Sequence, residues 1–294
     1  MGRGVMVRER GQVVENQALE GGFHRLRLHA PRTAHSAQPG QFIHLDIHPA
    51  LTLPRPFSLN GVHPGEGTVD LLYKVVGEGT DLMTRWKKGE VAGVLGPIGR
   101  PFTLTGDFRH AWLIAGGVGF APLEFLARRL VAQGVNVTLF LGIEGGCPFS
   151  LSSLELLGIP VHLASVVPEP GYFQGFVTQL VETRFHQLPD EMRSDIHLFA
   201  CGPTPMMKAV SLLAGRTGLR GEISLEEHMG CGFGGCAGCA APIRSSQQDS
   251  SSEAPQNPSP EAGQNWNYQR VCVDGPVFAI DQVAWEKTES DQPR

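Results

Sequence analysis

The sequence has no run of about eighteen apolar residues, so no segment is typical of a membrane-spanning helix. It also lacks a basic stripe, and its formal net charge of −5 argues against a nucleic-acid partner. No secretory signal pattern is found, so we expect a reducing, cytoplasmic environment. With 294 residues, of which 41% are hydrophobic, the chain can bury the cores of two domains and an appendage.

Cysteine is scarce and unevenly distributed, with only six in the chain. Cys231, Cys236 and Cys239 follow the spacing C-x4-C-x2-C, and thirty-two residues separate Cys239 from Cys272. This spacing matches the plant-type pattern of a [2Fe-2S] cluster with four thiolate ligands. Five glycines within 230–238 allow the backbone to wrap tightly and to direct N–H groups at sulfur.

Other interpretations of these cysteines stay open at this point. A structural zinc ion is one, although zinc sites usually pair short C-x2–4-C knuckles. A disulfide or a plain turn with spare thiols are the others. Cys147 and Cys201 lie far apart in the sequence, and we interpret them as structural. The eleven histidines show no metal-ligand spacing.

Short alternating apolar runs dominate the first hundred residues and predict a small antiparallel β-barrel. The predicted strands cover 5–14, 23–28, 41–47 and 69–76. One helix is predicted at 81–87, with Thr80 as its N-cap. Two segments can carry chemistry. Arg55 can hold a pyrophosphate and Ser58 offers a hydroxyl, while 77–80 presents backbone N–H groups to an anion.

From residue 110 the pattern changes to strands alternating with helices, which predicts a doubly wound parallel sheet. Strands are predicted at 110–115, 135–142, 161–166, 196–200 and 222–225, and helices at 123–133, 177–185 and 205–213. The turn containing Gly116, Gly117 and Gly119 lies between a strand and a helix, as in dinucleotide-binding sites. No basic residue follows the second strand at 143–146, and Glu144 there favours NAD over NADP.

These segments together resemble the ferredoxin-reductase superfamily of flavoproteins. The resemblance implies FAD binding by residues of three segments, namely Arg55, Pro56, Phe57, Ser58, Leu72, Tyr73, Lys74, Gly79 and Thr80. The G-G-x-G-x-A-P turn at 116–122 is the superfamily's form of the dinucleotide motif. The resemblance also implies that Cys201, Gly202 and Pro203 lie beside the nicotinamide; an ordinary turn with a buried cysteine is the alternative.

The tail is predicted to be a small appendage that holds the cysteines. Within it, 245–269 contains six Ser, five Gln and three Pro but no Val, Ile, Leu or Phe, so we predict a flexible loop. The flanking segments 240–243 and 270–273 are predicted to form a hairpin stem that returns Cys272 to the other cysteines. The predicted domains are therefore 1–106, 107–225 and 226–294.

The whole chain resembles the electron-transfer subunits of NAD-dependent, class 1B dihydroorotate dehydrogenases. The most specific matches are L-E-E-x-M-x-C-G-x-G-x-C-x-x-C at 225–239 and V-C-x-D-G-P-V-F at 271–278. The resemblance implies that Cys231, Cys236, Cys239 and Cys272 bind one [2Fe-2S] cluster. It also implies that electrons pass from an FMN-bearing catalytic subunit through the cluster and FAD to NAD, in pyrimidine biosynthesis. A heterotetramer of two plus two subunits is expected, with a partner surface at 229–238 that includes Phe233.

Two rival interpretations are kept. A sister subunit with the same layout could serve sulfide dehydrogenase, transhydrogenase or hydrogenase chemistry. A protein of another class, a non-enzymatic scaffold with a zinc-bound tail, would be colourless when purified.

Overall fold

The computed structural model describes residues 5–245 and 265–288. Its N-terminal part is a closed antiparallel barrel, as predicted. The strands are β1 (Val7–Ala18), β2 (Phe23–His29), β3 (Phe42–Asp46), β4 (Arg55–His63), β5 (Thr68–Lys74) and β6 (Val91–Ile98), of which β4 and β6 were not among the four predicted strands. Their order around the barrel is β1-β2-β5-β4-β3-β6. Side chains alternate between the two faces of each strand. In β3, Ile43 and Leu45 fill the barrel core, whereas Phe42 belongs to the core outside the barrel.

Two short helices accompany the barrel, α1 (Pro31–Ser36) and α2 (Glu78–Thr84). The prediction of a single helix was wrong, since α1 is too short to show a helical period. The prediction of Thr80 as N-cap was also wrong, because α2 begins at Glu78 with Gly77 as its N-cap. Thr80 acts instead from within the first turn, where its hydroxyl accepts hydrogen bonds from the N–H groups of Val76 (2.9 Å) and Gly77 (3.2 Å).

The second part is an α/β domain around a seven-stranded sheet. Its elements are β7 (His110–Gly116), α3 (Phe120–Val131), β8 (Asn136–Gly142), α4 (Ser152–Glu155), β9 (Val161–Ser165), β10 (Phe173–Gln174), α5 (Val177–Gln187), α6 (Asp190–Arg193), β11 (Ile196–Cys201), α7 (Thr204–Thr217) and β12 (Arg220–Ser224), with a seventh strand, β15 (Val277–Ala279), from the C-terminal segment. The strand order is β10-β9-β8-β7-β11-β12-β15. The pairs from β10 to β12 are all parallel, which confirms the predicted doubly wound domain.

The C-terminal segment does not stand apart from this sheet. It contains β13 (Ala240–Arg244), β14 (Trp266–Arg270), β15 (Val277–Ala279) and α8 (Trp285–Thr288). Strand β15 pairs antiparallel with β12 and extends the sheet beyond the predicted end at residue 225. Cys239 and Cys272 are buried in the same core as Trp112 and Ile114 of the α/β domain. The appendage is therefore fixed to the domain by a continuous core.

The hairpin stem forms, but with a different partner strand from the predicted one. Strand β13 pairs with β14, with Ala240 opposite Arg270 and Arg244 opposite Trp266. The predicted loop at 245–269 therefore ends earlier, since its last residues form a strand; 246–264 lie outside the described residues. The sequence argument considered only aliphatic residues and phenylalanine, and it missed the alternating Trp266 and Tyr268, whose rings meet at 5.2 Å.

A buried carboxylate joins the barrel to the α/β domain. Glu124 on α3 is only 3% exposed, and its Oε2 accepts a hydrogen bond from Asn60 Nδ2 of β4 at 2.9 Å. Its other oxygen accepts from Arg128 at 2.8 Å and from Ser153 at 3.2 Å. Asn60 also donates to the carbonyl of Ala121 at 3.1 Å. These bonds hold the start of α3 against the barrel.

None of the helices in the described ranges has both the length and the apolar composition that crossing a membrane requires.

Candidate functional site

The two predicted flavin segments of the barrel lie side by side. Arg55 begins β4, and a Cβ atom built on Gly79 would lie 3.3 Å from its Nε. Gly79 is buried in the first turn of α2, so the guanidinium can approach that turn only because no side chain intervenes. Arg55 Nη1 also donates to the carbonyl of Leu53 at 2.6 Å. A cation and a backbone turn thus meet at one place, an arrangement suited to a pyrophosphate.

The neighbouring residues of β4 and β5 divide between two faces. Phe57 and Tyr73 point into the barrel core, where their rings meet edge to face at 6.1 Å. Burial raises the pKa of Tyr73 to about 12, and its hydroxyl donates to Asn16 at 3.2 Å. Leu72 packs on the other face, in the core shared with the α/β domain. Lys74 lies on that side too, with its Nζ 5.4 Å from the centre of the Phe23 ring.

The glycine turn and the Cys201 segment form one surface at the carboxyl ends of two adjacent strands. Strands β7 and β11 are parallel neighbours, with Ala115 opposite Cys201. A Cβ on Gly202 would lie 3.0 Å from the Gly116 backbone, and one on Gly119 would clash with the Cys201 carbonyl. Glycine is needed at both positions for this close approach. The predicted dinucleotide turn and nicotinamide segment are therefore brought together, at the edge where ligands of such sheets bind.

Cys201 is fully buried, and its thiol lies 3.9 Å from Oε1 of Glu226. Burial, followed by the charge of Glu226, raises the pKa of Cys201 well above its usual value, so the sulfur stays protonated. Taken as a whole residue, Glu226 is exposed, but burial of its carboxyl raises the pKa of that group as well. Sequence reasoning did not assign Glu226, although it opens the cysteine motif.

The loop at 229–238, called the thiol loop below, directs backbone N–H groups at sulfur, as its glycines predict. The N–H of Gly235 lies 3.2 Å from the sulfur of Cys231, and the N–H of Gly238 lies 3.4 Å from that of Cys236. Burial acts to raise the pKa of Cys231, but N–H groups of the loop and the Cys236 thiol lower it to about 7. A thiolate is the form that binds a metal.

The four thiols are arranged as two pairs. The N–H of Cys236 lies 3.4 Å from the sulfur of Cys231, and the N–H of Cys272 lies 3.5 Å from the sulfur of Cys239. Burial, together with the neighbouring Cys239, raises the pKa of Cys272 to about 12. Among the described residues, no three His, Cys, Asp or Glu side chains gather closely enough to hold one metal ion. Two pairs of thiols fit a cluster in which each of two irons takes two cysteines.

A further side chain, which sequence reasoning missed, lies against this loop. His44 of β3 is 1% exposed, and its ring packs on Gly232, next to Cys231. Alternation along β3 indicates that His44 shares the outer face with Phe42. No pattern in the sequence indicated that the cysteine loop, almost two hundred residues later, would cover that face.

Comparison with known proteins adds relatives of similar length, although no family model matches the chain. The dihydroorotate dehydrogenase B (NAD(+)) electron transfer subunit of Shouchella clausii is 34% identical over 276 residues, covering 92% of this chain and 96% of the relative. The subunit of the same name from Desulforamulus reducens is 34% identical over 268 residues, covering 89% and 92%.

Solved structures extend the comparison. An NADH-dependent reduced ferredoxin-NADP oxidoreductase, studied for flavin-based electron bifurcation, aligns with a TM-score of 0.78 and 25% identity, covering 94% of this chain and 90% of that one. A Neisseria gonorrhoeae ferredoxin NADP+ reductase with bound FAD and NADP has a TM-score of 0.59 and 14% identity over 72% of this chain and 92% of its own, and shares the fold. Given the identity and coverage of the curated relatives, this chain belongs to the family of dihydroorotate dehydrogenase B (NAD(+)) electron transfer subunits.

Proposed function

We propose that this chain passes electrons from an FMN-bearing dihydroorotate dehydrogenase catalytic subunit to NAD, through a [2Fe-2S] cluster and FAD, in pyrimidine biosynthesis. The observation that carries the proposal is the path of the segment 226–239. It begins at Glu226 beside Cys201, in the nicotinamide segment, and continues to Gly232, which contacts β3 of the flavin barrel. The candidate binding segments for the nicotinamide, the cluster and the flavin are therefore linked by this one stretch of chain.

The residues present fit the groups that the family implies. Arg55 and the turn at Gly79 would hold the FAD pyrophosphate, and Gly116, Gly119 and Gly202 would admit NAD to the sheet edge. When bound, the cluster carries single electrons, the flavin exchanges one or two, and the nicotinamide takes two as a hydride. The chain itself binds and orients these groups, and it surrounds the buried thiols Cys239 and Cys272 with apolar side chains.

The cysteine spacing supports a cluster over the zinc scaffold. A structural zinc ion is usually held by two short C-x2–4-C knuckles, whereas here three thiols share one loop and only Cys272 is distant. The N–H of Cys236 lies 3.4 Å from the sulfur of Cys231 and that of Cys272 lies 3.5 Å from the sulfur of Cys239, and each pair would serve one iron. All six cysteines are free, which suits a reducing compartment and supports a cytoplasmic location.

The catalytic partner is proposed to dock over the thiol loop at 229–238. Phe233 is 59% exposed there and its ring lies over Gly235, so a large apolar side chain faces outward beside Cys231 and Cys236. Exposed aromatic residues are common anchors of protein interfaces. A complex of two chains of each kind is proposed. The loop at 143–146 carries Glu144 and no basic residue, which supports NAD rather than NADP as the electron acceptor.

The decisive experiment separates the two halves of the reaction. The purified chain, loaded with FAD and cluster, should oxidise NADH with an artificial acceptor, but it should reduce NAD with dihydroorotate only after an FMN-bearing partner is added. Cys236→Ala is the matched variant, which should retain NADH oxidation and lose the partner-dependent reaction. Absence of NADH oxidation by the FAD-loaded chain would refute the reductase assignment. Dihydroorotate turnover without a partner, in a sample free of FMN protein, would refute the subunit assignment.

The second candidate is a sister subunit that serves another dehydrogenase. The likeness to the ferredoxin-NADP oxidoreductase, with its TM-score of 0.78, supports this alternative. Co-purification distinguishes the two, since a partner without FMN or dihydroorotate activity would favour the sister subunit.

A further inference from the structure

His44 occupies an unusual position between the flavin barrel and the thiol loop. It lies on β3 opposite Pro56 of the flavin motif on one side and opposite Leu95 of β6 on the other. Residues directly opposite in antiparallel strands share a face, so His44 and Pro56 lie on the same side of the barrel wall. Ser58 is opposite Phe42 on that same side. The imidazole is thus close to the candidate flavin segment.

The nitrogen-bearing edge of the ring faces the thiol loop. A Cβ built on Gly232 would lie 2.7 Å from Cε1, 2.8 Å from Nδ1 and 3.1 Å from Nε2 of His44. Gly232 also has a φ of +75°, a backbone conformation that favours glycine. Any larger residue after Cys231 would push the ring away, so this glycine admits the imidazole to the loop.

Both ring nitrogens lack a hydrogen-bond partner among the described residues, although each is buried. Burial lowers the pKa of His44 to about 4, while the charge of Asp46 acts in the opposite direction. The ring is therefore neutral at pH 7 and carries one N–H donor. A buried donor without a partner is costly and rare in native proteins. We therefore expect a hydrogen-bond acceptor for this N–H on the side of the ring that faces the thiol loop.

We infer that His44 is a positioning residue whose ring N–H donates a hydrogen bond to a sulfur of the cluster held by the thiol loop, a role that rests on the proposed function. Thiolate and sulfide sulfurs are the acceptors that such a loop supplies when it is loaded. Hydrogen bonds to these sulfurs are among the features that set a cluster's reduction potential. Reduction adds negative charge, so a donor stabilises the reduced form and raises the potential.

The test measures the cluster's reduction potential by electron paramagnetic resonance during a redox titration. His44→Leu should lower the reduction potential by ~59 mV, which corresponds to about a tenfold change in the equilibrium constant of a one-electron reduction. His44→Gln, which retains an N–H donor, should recover most of this loss. Phe42→Leu is the matched control, since Phe42 lies on the same outer face and in the core around Cys239 and Cys272. It should leave the potential near that of the wild type.

A second measurement uses the wild-type protein and does not depend on how variants fold. With ¹⁵N-labelled histidine, pulsed resonance of the reduced cluster should detect a coupled histidine nitrogen, and this signal should vanish in His44→Gln. An unchanged potential in His44→Leu with full iron content, or no histidine coupling in the wild type, would overturn the inference alone. A wild-type protein with FAD but without iron and acid-labile sulfide would overturn the cluster proposal itself.

Discussion

Glu124 offers a direct test of how the two cofactor domains are held together. Its carboxylate is 3% exposed and accepts hydrogen bonds from Asn60 at 2.9 Å and from Arg128 at 2.8 Å. Glu124→Gln keeps the size of the side chain and removes the charge. Whichever way the new amide is turned, its NH₂ group faces an N–H or O–H donor, so a hydrogen bond is lost on that side.

The expected loss of stability follows from how exposed the hydrogen-bond partners of Glu124 are. A hydrogen bond to a charged group contributes about 1.5–3 kcal/mol when buried. The side chains of Arg25 and Arg128 are 34% and 41% exposed, so water replaces part of what they lose. Asn60 is 4% exposed, so water cannot replace the hydrogen bond that it loses. We expect Glu124→Gln to cost about 2–3 kcal/mol in total, and Glu124→Ala about 3–5 kcal/mol.

Thermal unfolding of the FAD-loaded protein is the assay. A loss of about 2–3 kcal/mol corresponds to a decrease in Tm of roughly 3–5 °C for a chain of this size. Asn60 lies two residues after Ser58, and Ala121 lies two residues after Gly119, so the contact also fixes the flavin segment relative to the glycine turn. NADH oxidation should therefore fall while FAD content is unchanged.

The control is Glu155→Gln, at an exposed position on α4, which should change stability by no more than about 0.5 kcal/mol. A Tm of Glu124→Gln within about 1 °C of the wild type would refute the reasoning. So would an equal decrease in both variants, since that would point to a general effect of losing negative charge.

Other expected outcomes concern the cofactor segments and acid stability. Arg55→Ala should weaken FAD binding by about 1.5–3 kcal/mol through loss of a charge-assisted phosphate contact, measured as FAD released on dialysis; full retention would contradict the assignment. Cys236→Ala should abolish the [2Fe-2S] spectrum and leave FAD bound, whereas stoichiometric zinc without acid-labile sulfide in the wild type would exclude the cluster. Replacing 246–264 with a short Gly-Ser link should keep the iron content, because closure entropy changes slowly with loop length and the β13–β14 pairing lies outside that range; loss of iron would show that the segment is needed. Burial alone would raise the pKa of Asp70, but hydrogen bonds with Arg27 and His63 lower it below its usual value. Its stabilising contribution is therefore complete above that usual value and is lost as pH falls through the lower one; Asp70→Asn should flatten the dependence of Tm on pH in this acidic range, and an unchanged slope would contradict it.

The sequence by itself determined the local patterns and the motifs. Period-two alternation predicted the barrel, and strands alternating with helices predicted the parallel sheet, because both patterns are set by side-chain direction within one element. The spacing of Cys231, Cys236 and Cys239 predicted a thiol loop, since neighbouring ligands are brought together by the loop itself. The family resemblance implied that the segment at Cys201 lies beside the nicotinamide, and the structure brings that segment next to the glycine turn.

Only the tertiary structure decided which surfaces cover one another. Strand β15 joins β12, and Gly232 covers His44, through pairings between residues far apart in the chain. The contact between Asn60 and Glu124 likewise depends on how two independently patterned domains dock. Such contacts leave no periodic trace in the sequence, because a buried polar residue on an outer strand face looks like a solvated one until its cover is known. The order of the chain sets each element, and the packing between elements sets the environment of the residues on which the proposed electron path depends.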